Sequence, residues 1–258
     1  MPAAGIGPSP GPFQEALDFF RKKVNMPGVD WVDLTAEERL RAFTVAGVTK
    51  ADLLADIRDA VDKAIEQGTT LETFKRDFNG IIEKHGWNLA GTKVGYRARL
   101  IFEQNIRVAY TMGREAQLRQ PAFQARNPYW QWLHGDSKRP RPNHLAWDGT
   151  ILPADDPFWV SNQPGVLINC RCKKVAMSGP MMKAEGLKVS KQPPQNMWDK
   201  LELDQQPSTT SAKAFATDLL DMKTPKLPNP ISDDLRREIE AQIRDNEAWL
   251  RKAKAGVK

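Results

Sequence analysis

Residues 129–177 read YWQWLHGDSKRPRPNHLAWDGTILPADDPFWVSNQPGVLINCRCKKVAM, and they decide the fold class of the chain. The stretch holds two of the three histidines, both cysteines and four of the eight tryptophans. Tyr129 to His134 is aromatic and partly alternating, which predicts a strand. Val166 to Val175, with Cys170-Arg-Cys172 inside it, predicts a second. Between them Arg139-Pro-Arg-Pro142 forbids a regular helix or a central strand. Asn143 is placed to cap a short turn carrying His144 and Trp147, while Asp148-Gly149 and Asp155-Asp156-Pro157 are turn signals. A small irregular α+β module over 121–178 is expected, clamped by Trp130, Trp132, Trp147, Phe158 and Trp159 around the Asp148-Gly149 turn.

Upstream, residues 1–12 are a flexible lead-in of Gly, Pro, Ala and Ser, and 13–120 have helical periodicity. Pro12 suits a first helical position, with Phe13, Ala16, Leu17 and Phe20 on one face, Lys22 and Lys23 at the end and Pro27-Gly28 as the stop. Thr35 to Glu38 is a capping box, and Thr49 with Asp52 repeats the device more weakly. The run Leu53, Leu54, Ile57, Val61, Ala64, Ile65 predicts a helix over 50–67 closed by Gly68. Thr70 caps the next, ended by His85-Gly86. Val94 to Leu118 is the longest periodic run, with Ile101, Asn105, Val108 and Met112 on one face, Gly113 as a weak point and Pro121 as the stop. Downstream, the prolines of 179–230 predict an extended arm. Ser232, Asp233 and Asp234 open a terminal helix within 231–258. The fold class is therefore α+β: a mainly helical N-terminal region with one long helix, the small module, an arm and a last helix.

With 258 residues, 40% of them hydrophobic, the chain is long enough to bury a core. Nineteen prolines and a mean hydropathy of −0.56 assign part of its length to extended segments. No apolar run approaches the roughly 20 residues of a membrane span. The opening MPAAGIGPSPGPF lacks the pattern of a secretory signal, so a cytoplasmic site of synthesis is expected. From Tyr96 to Arg141 there are nine basic and three acidic side chains, a surplus equal to the whole net charge of +6. Arg97, Arg99, Arg107, Arg114 and Arg119 thus form either a solvated helix face or a contact surface for phosphate or an acidic partner.

Two readings compete for the histidine and cysteines. In a strand, Cys170 and Cys172 point to one side, and with His144 they would offer three ligands to zinc; His134 or Asp148 would supply a fourth. Zinc sites, however, usually leave two to four residues between paired cysteines, and here one intervenes. The other reading is two small buried thiols beside a hydrogen-bonded core histidine. A Cys/His nucleophile lacks any recognisable oxyanion element, and no phosphate-binding glycine loop, HExxH or GxSxG occurs. No catalytic residue is assigned.

PFQEALDFFRKKV, AFTVAG, FKRDF with HGW, NIRVAYTMGR and then HLAWDG, DDPFW and NCRC, in that order, resemble the phage Mu F-like family of minor head proteins. The resemblance covers residues 12–178. Its most specific part is His144, Asp148-Gly149, Pro157-Phe-Trp159 and Cys170-Arg-Cys172; where the family usually has an apolar residue two places before the Asp-Gly, Ala146 stands here, a small departure. It implies a structural protein of a tailed double-stranded DNA phage or prophage, inside the head near the portal vertex. The implied partners are the portal protein, other capsid proteins and packaged DNA without sequence readout. The rival is a metal-dependent hydrolase or nuclease built on His144, Asp148, Cys170 and Cys172.

Overall fold

The computed structural model describes residues 13–29, 34, 36–89, 93–135 and 140–191. Pro12, Thr35, Asp136, Lys138, Arg139, most of the expected arm and the whole expected terminal helix lie outside them. The chain is mixed helix and strand, with a helical layer first and a small sheet after it.

Helix α1 (Gln14–Arg21) buries Ala16, Leu17, Phe19 and Phe20. It stops at Arg21, well short of Pro27-Gly28, because the chain turns into a strand. That strand, β1 (Val24–Asn25), follows at once, and α2 (Ala36–Arg41) leads into its parallel partner β2 (Ala42–Phe43). The turn is held by Lys23, only 4% exposed, whose ammonium donates to the carbonyls of Arg39 and Ala42 at 2.9 Å each. Val24, Met26, Val29, Leu34 and Ala42 close a small apolar cluster beneath it.

Helix α3 (Ala51–Gln67) buries the six apolar residues its periodicity marks. Its cap is not Thr49: Lys50 occupies that position, and Asp52 accepts the Leu53 N–H at 2.8 Å instead. Helix α4 (Leu71–His85) is capped by Thr70, whose hydroxyl accepts the Thr73 N–H at 3.2 Å. Helix α5 (Val94–Leu118) crosses this layer, and Ala98, Ile101, Val108, Ala109 and Met112 enter the shared core. Asn105 turns its side chain back to the Ile101 carbonyl at 2.9 Å.

Gly113 is not a weak point but the place where α1 lies against α5. A Cβ there would come 2.6 Å from the Ala16 backbone nitrogen. Gly113→Ala is therefore expected to destabilise the chain by about 1–3 kcal/mol, through overpacking against backbone. Gly80→Ala, in α4 with open space around it, should instead stabilise by roughly 0.5–1 kcal/mol. Urea unfolding of both variants checks the pair, and equal signs would reject the close approach.

Pro121 is not merely a stop. It is the first residue of α6 (Pro121–Arg126), which leads to the sheet. Strand β3 (Tyr129–Leu133) is central there. Helix α7 (Pro142–Ala146), strand β4 (Ile151–Pro153), helix α8 (Phe158–Ser161) and strand β5 (Lys173–Met177) follow. Both β4 and β5 pair antiparallel with β3. The second strand expected at Val166–Val175 thus begins only at Lys173, leaving Cys170 and Cys172 in the loop before it. Asn143 is not a cap; it lies inside α7 and is fully buried, behind Pro142 at the first helical position.

Trp130 and Trp132 face one side of the sheet, where Trp147, Phe158, Trp159, Leu152 and both cysteines join them. Tyr129, Ile151, Val175 and Met177 face the other. Helix α9 (Gly179–Ala184) covers that second face with Met182, so the expected arm opens with a helix rather than extended chain. Ser190 then bonds Ile151 through both its N–H (2.8 Å) and its hydroxyl (3.1 Å), fastening residues up to 191 to the sheet edge. No helix among the described residues is long and apolar enough to cross a membrane.

Candidate functional site

The site starts from Pro142, which opens α7 and sets His144 on its buried side. Arg141 anchors the helix start by donating to the Ile168 carbonyl at 3.0 Å, so α7 and the cysteine loop are held together. Strand alternation does not bring the two sulfurs together, because neither cysteine is in a strand. The loop is bent instead by Asn169, at φ 58°, and Arg171 is packed directly on Gly135. A Cβ on Gly135 would collide with the Arg171 carbonyl, so only glycine permits this approach.

His144 Nδ1 lies 3.5 Å from Cys170 Sγ and 3.4 Å from Cys172 Sγ. The three atoms all fall within 4.8 Å of one another, and the residues are 4%, 3% and 6% exposed. Aromatic rings wall the group. Trp132 meets the imidazole edge-on at 5.3 Å and Trp147 lies nearly parallel to it at 5.5 Å. The Gly165 N–H donates to Cys170 Sγ at 3.4 Å.

The thiols divide their protons unequally. A hydrogen bond from the Cys172 thiol, helped by His144 against the opposing effect of burial, draws Cys170 down to about 4. Cys172 is pushed up by that same bond, by burial and by the adjacent Cys170 charge.

Asp148 and His134 stand outside this group among the described residues. Asp148 is exposed, and its carboxylate accepts the His134 backbone N–H at 2.7 Å, closing the turn. The basic residues of α5, and Arg119 just after it, are similarly engaged with the fold. Arg97 donates to the Ala46 carbonyl at 2.7 Å and lies over Trp87. Arg99 pairs with Glu103 at 2.7 Å. Arg107 reaches Gln104 and Glu103, with burial lowering its pKa. Arg114 lies over Phe123, and Arg119 pairs with Glu115 at 2.6 Å and lies over Trp130. Arg99 and Arg114 remain the exposed members.

Sequence reasoning misses a buried ion pair. Lys174 donates to Glu115 at 2.7 Å, with the side chains 3% and 2% exposed, and joins β5 to the end of α5. Gln163 donates to the same carboxylate and accepts from Lys174. Burial draws Lys174 down to about 8. One signal is available: Glu115 continues the stripe of Val108 and Met112, where an apolar residue belongs.

Residues 55–175, which span α3 through β5 and include His144, Cys170 and Cys172, match the family described as phage Mu protein F like protein. The putative capsid assembly protein F of Escherichia phage Mu is 35% identical over 192 residues, 69% of this chain and 43% of that protein. The Mu-like prophage FluMu F protein of Haemophilus influenzae is 33% identical over 170 residues, 62% of this chain and 41% of that protein. The chain thus spans less than half the length of these relatives. No solved structure matches it.

Proposed function

The chain belongs to the phage Mu protein F-like family across residues 55–175, and from that premise we propose that it is a minor head protein of a tailed double-stranded DNA phage or prophage. In this reading it binds the portal and other capsid proteins inside the head and acts in head morphogenesis and DNA packaging or delivery. The phage Mu relative's name, a putative capsid assembly protein, supports it. The observation that carries a building role over turnover is burial: the groups richest in chemistry, His144, Cys170 and Cys172, are at most 6% exposed. The hydrolase alternative needs Asp148 beside them, and Asp148 is turned outward to the His134 backbone.

Co-expression with the portal protein of the same phage tests the reading. Co-sedimentation of the full chain with portal oligomers and its presence in mature particles are expected; recovery only outside particles overturns it. Retention of double-stranded DNA should fall steeply with salt and ignore sequence. Arg99→Glu with Arg114→Glu should weaken that retention and lower its salt slope by roughly one for each phosphate no longer neutralised. Unchanged retention would remove DNA from the partners of this face.

A further inference from the structure

We propose that His144 Nδ1 and the sulfurs of Cys170 and Cys172 bind one soft divalent ion of the zinc class, tying α7 to the loop before β5. Zinc–sulfur bonds of about 2.3 Å and zinc–nitrogen bonds of about 2.0–2.1 Å place tetrahedral N and S ligands about 3.6 Å apart. The two Nδ1···Sγ distances here are 3.5 and 3.4 Å. An imidazole nitrogen has a single in-plane direction for a lone pair or a proton, so one hydrogen bond favours one sulfur. Near-equal distances to two sulfurs fit a common centre in front of the nitrogen better.

The surroundings agree with a buried site. Gly165 aims an N–H at Cys170 Sγ, the kind of outer contact that steadies a metal-bound thiolate. Trp132 and Trp147 fix the imidazole plane and keep out water. Two sulfurs and an imidazole select zinc or cobalt(II) over magnesium or calcium, which take oxygen ligands. The ligands come from segments 26 and 28 residues apart, so one ion would close a long, irregular loop that has little helix or strand of its own. A single intervening residue between the cysteines is no obstacle, because the pair lies in a loop bent at Asn169, outside strand geometry. Three protein ligands leave one coordination position, and neither Asp148 nor His134 fills it. The site stands whether or not the chain binds a portal.

The test uses the reduced, chelator-treated full chain, titrated first with cobalt(II) and then with zinc. The chain has only two cysteines, so a thiolate-to-cobalt charge-transfer band reports this site alone. One equivalent of cobalt with that band, its displacement by zinc, and a higher thermal midpoint with zinc are expected. C170S/C172S should lose the band and the stoichiometric ion, and H144A should weaken binding and change the d–d bands. The wild-type titration decides even where a variant fails to fold. A folded wild-type chain without the band, a stoichiometric ion retained by C170S/C172S, or an unaltered spectrum in folded H144A overturns the proposal.

Discussion

Lys174→Ala is expected to cost the folded chain about 3–5 kcal/mol, because it removes one partner of a buried ion pair and leaves the other. Lys174 and Glu115 are 3% and 2% exposed at their side chains, and the ammonium sits 4.3 Å from the Trp130 ring centre and 5.3 Å from that of Trp159. Alanine would strand Glu115 with Arg119 and Gln163 alone and leave the lysine stem's place between two indoles unfilled. Lys174→Met keeps the stem and isolates the charge. Glu115→Gln with Lys174→Met should regain most of the loss, since a neutral, filled pair avoids both desolvation costs. Guanidinium unfolding of these three variants and of Glu115→Gln alone reads this directly. A loss below about 1 kcal/mol for Lys174→Ala, or a double variant no better than the summed singles, would sink the account.

The same pair gives stability a pH dependence. Burial raises the Glu115 carboxyl, but Lys174 and Arg119 draw it further the other way, leaving it below its ordinary value in the folded chain. Its contribution is therefore present above the unfolded carboxylate range and lost as pH falls through the folded one. Lys174 titrates at about 8 when folded against 10.5 ordinarily, so between those values the unfolded chain holds more protons. For this group, stability rises with pH across that window. In Lys174→Met the alkaline limb should vanish and the acid limb should begin at higher pH.

The long helices are legible because a 3.6-residue period sustained over 15 residues or more outweighs local accidents; α3, α4 and α5 lie within a residue or so of where that period puts them. The short elements are not. β1, β2 and β4 have two or three residues each, and what makes them strands is a partner elsewhere in the chain: Lys23 reaching two carbonyls, or Ile151 pairing with Gln131. Proline reads as a stop at Pro121 and as a breaker at Pro142, yet at both it starts a helix. The chemistry of His144, Cys170 and Cys172 is legible from residue type. Strand alternation would explain their convergence, but a left-handed Asn169 and the packing of Arg171 on Gly135 produce it. Neither has a periodic signature. Lys174 is hidden in a different way, since only the far end of α5 explains why a lysine is buried in β5.

Trp132→Ala is expected to cost about 3–5 kcal/mol, the range for removing a large aromatic from a packed core. Trp132 is 1% exposed on the central strand, and its ring meets Trp147 at 5.0 Å, His144 at 5.3 Å and Phe158 at 6.1 Å. Its backbone ties β3 to the Trp147–Thr150 turn, donating to the Thr150 carbonyl at 2.9 Å and accepting the Gly149 N–H at 3.0 Å. A substitution there should therefore loosen the imidazole and expose the sulfurs as well as lower stability. Trp130→Ala is the control. Its ring faces Trp159, Lys174 and Arg119, so its loss should weaken the joint between α5 and the sheet instead. At matched stability, thiol-labelling rates of Cys170 and Cys172 should rise more in Trp132→Ala than in Trp130→Ala. Equal rates would mean that both rings serve one undivided core, while unequal rates assign one tryptophan to the helix–sheet joint and the other to the histidine–cysteine group.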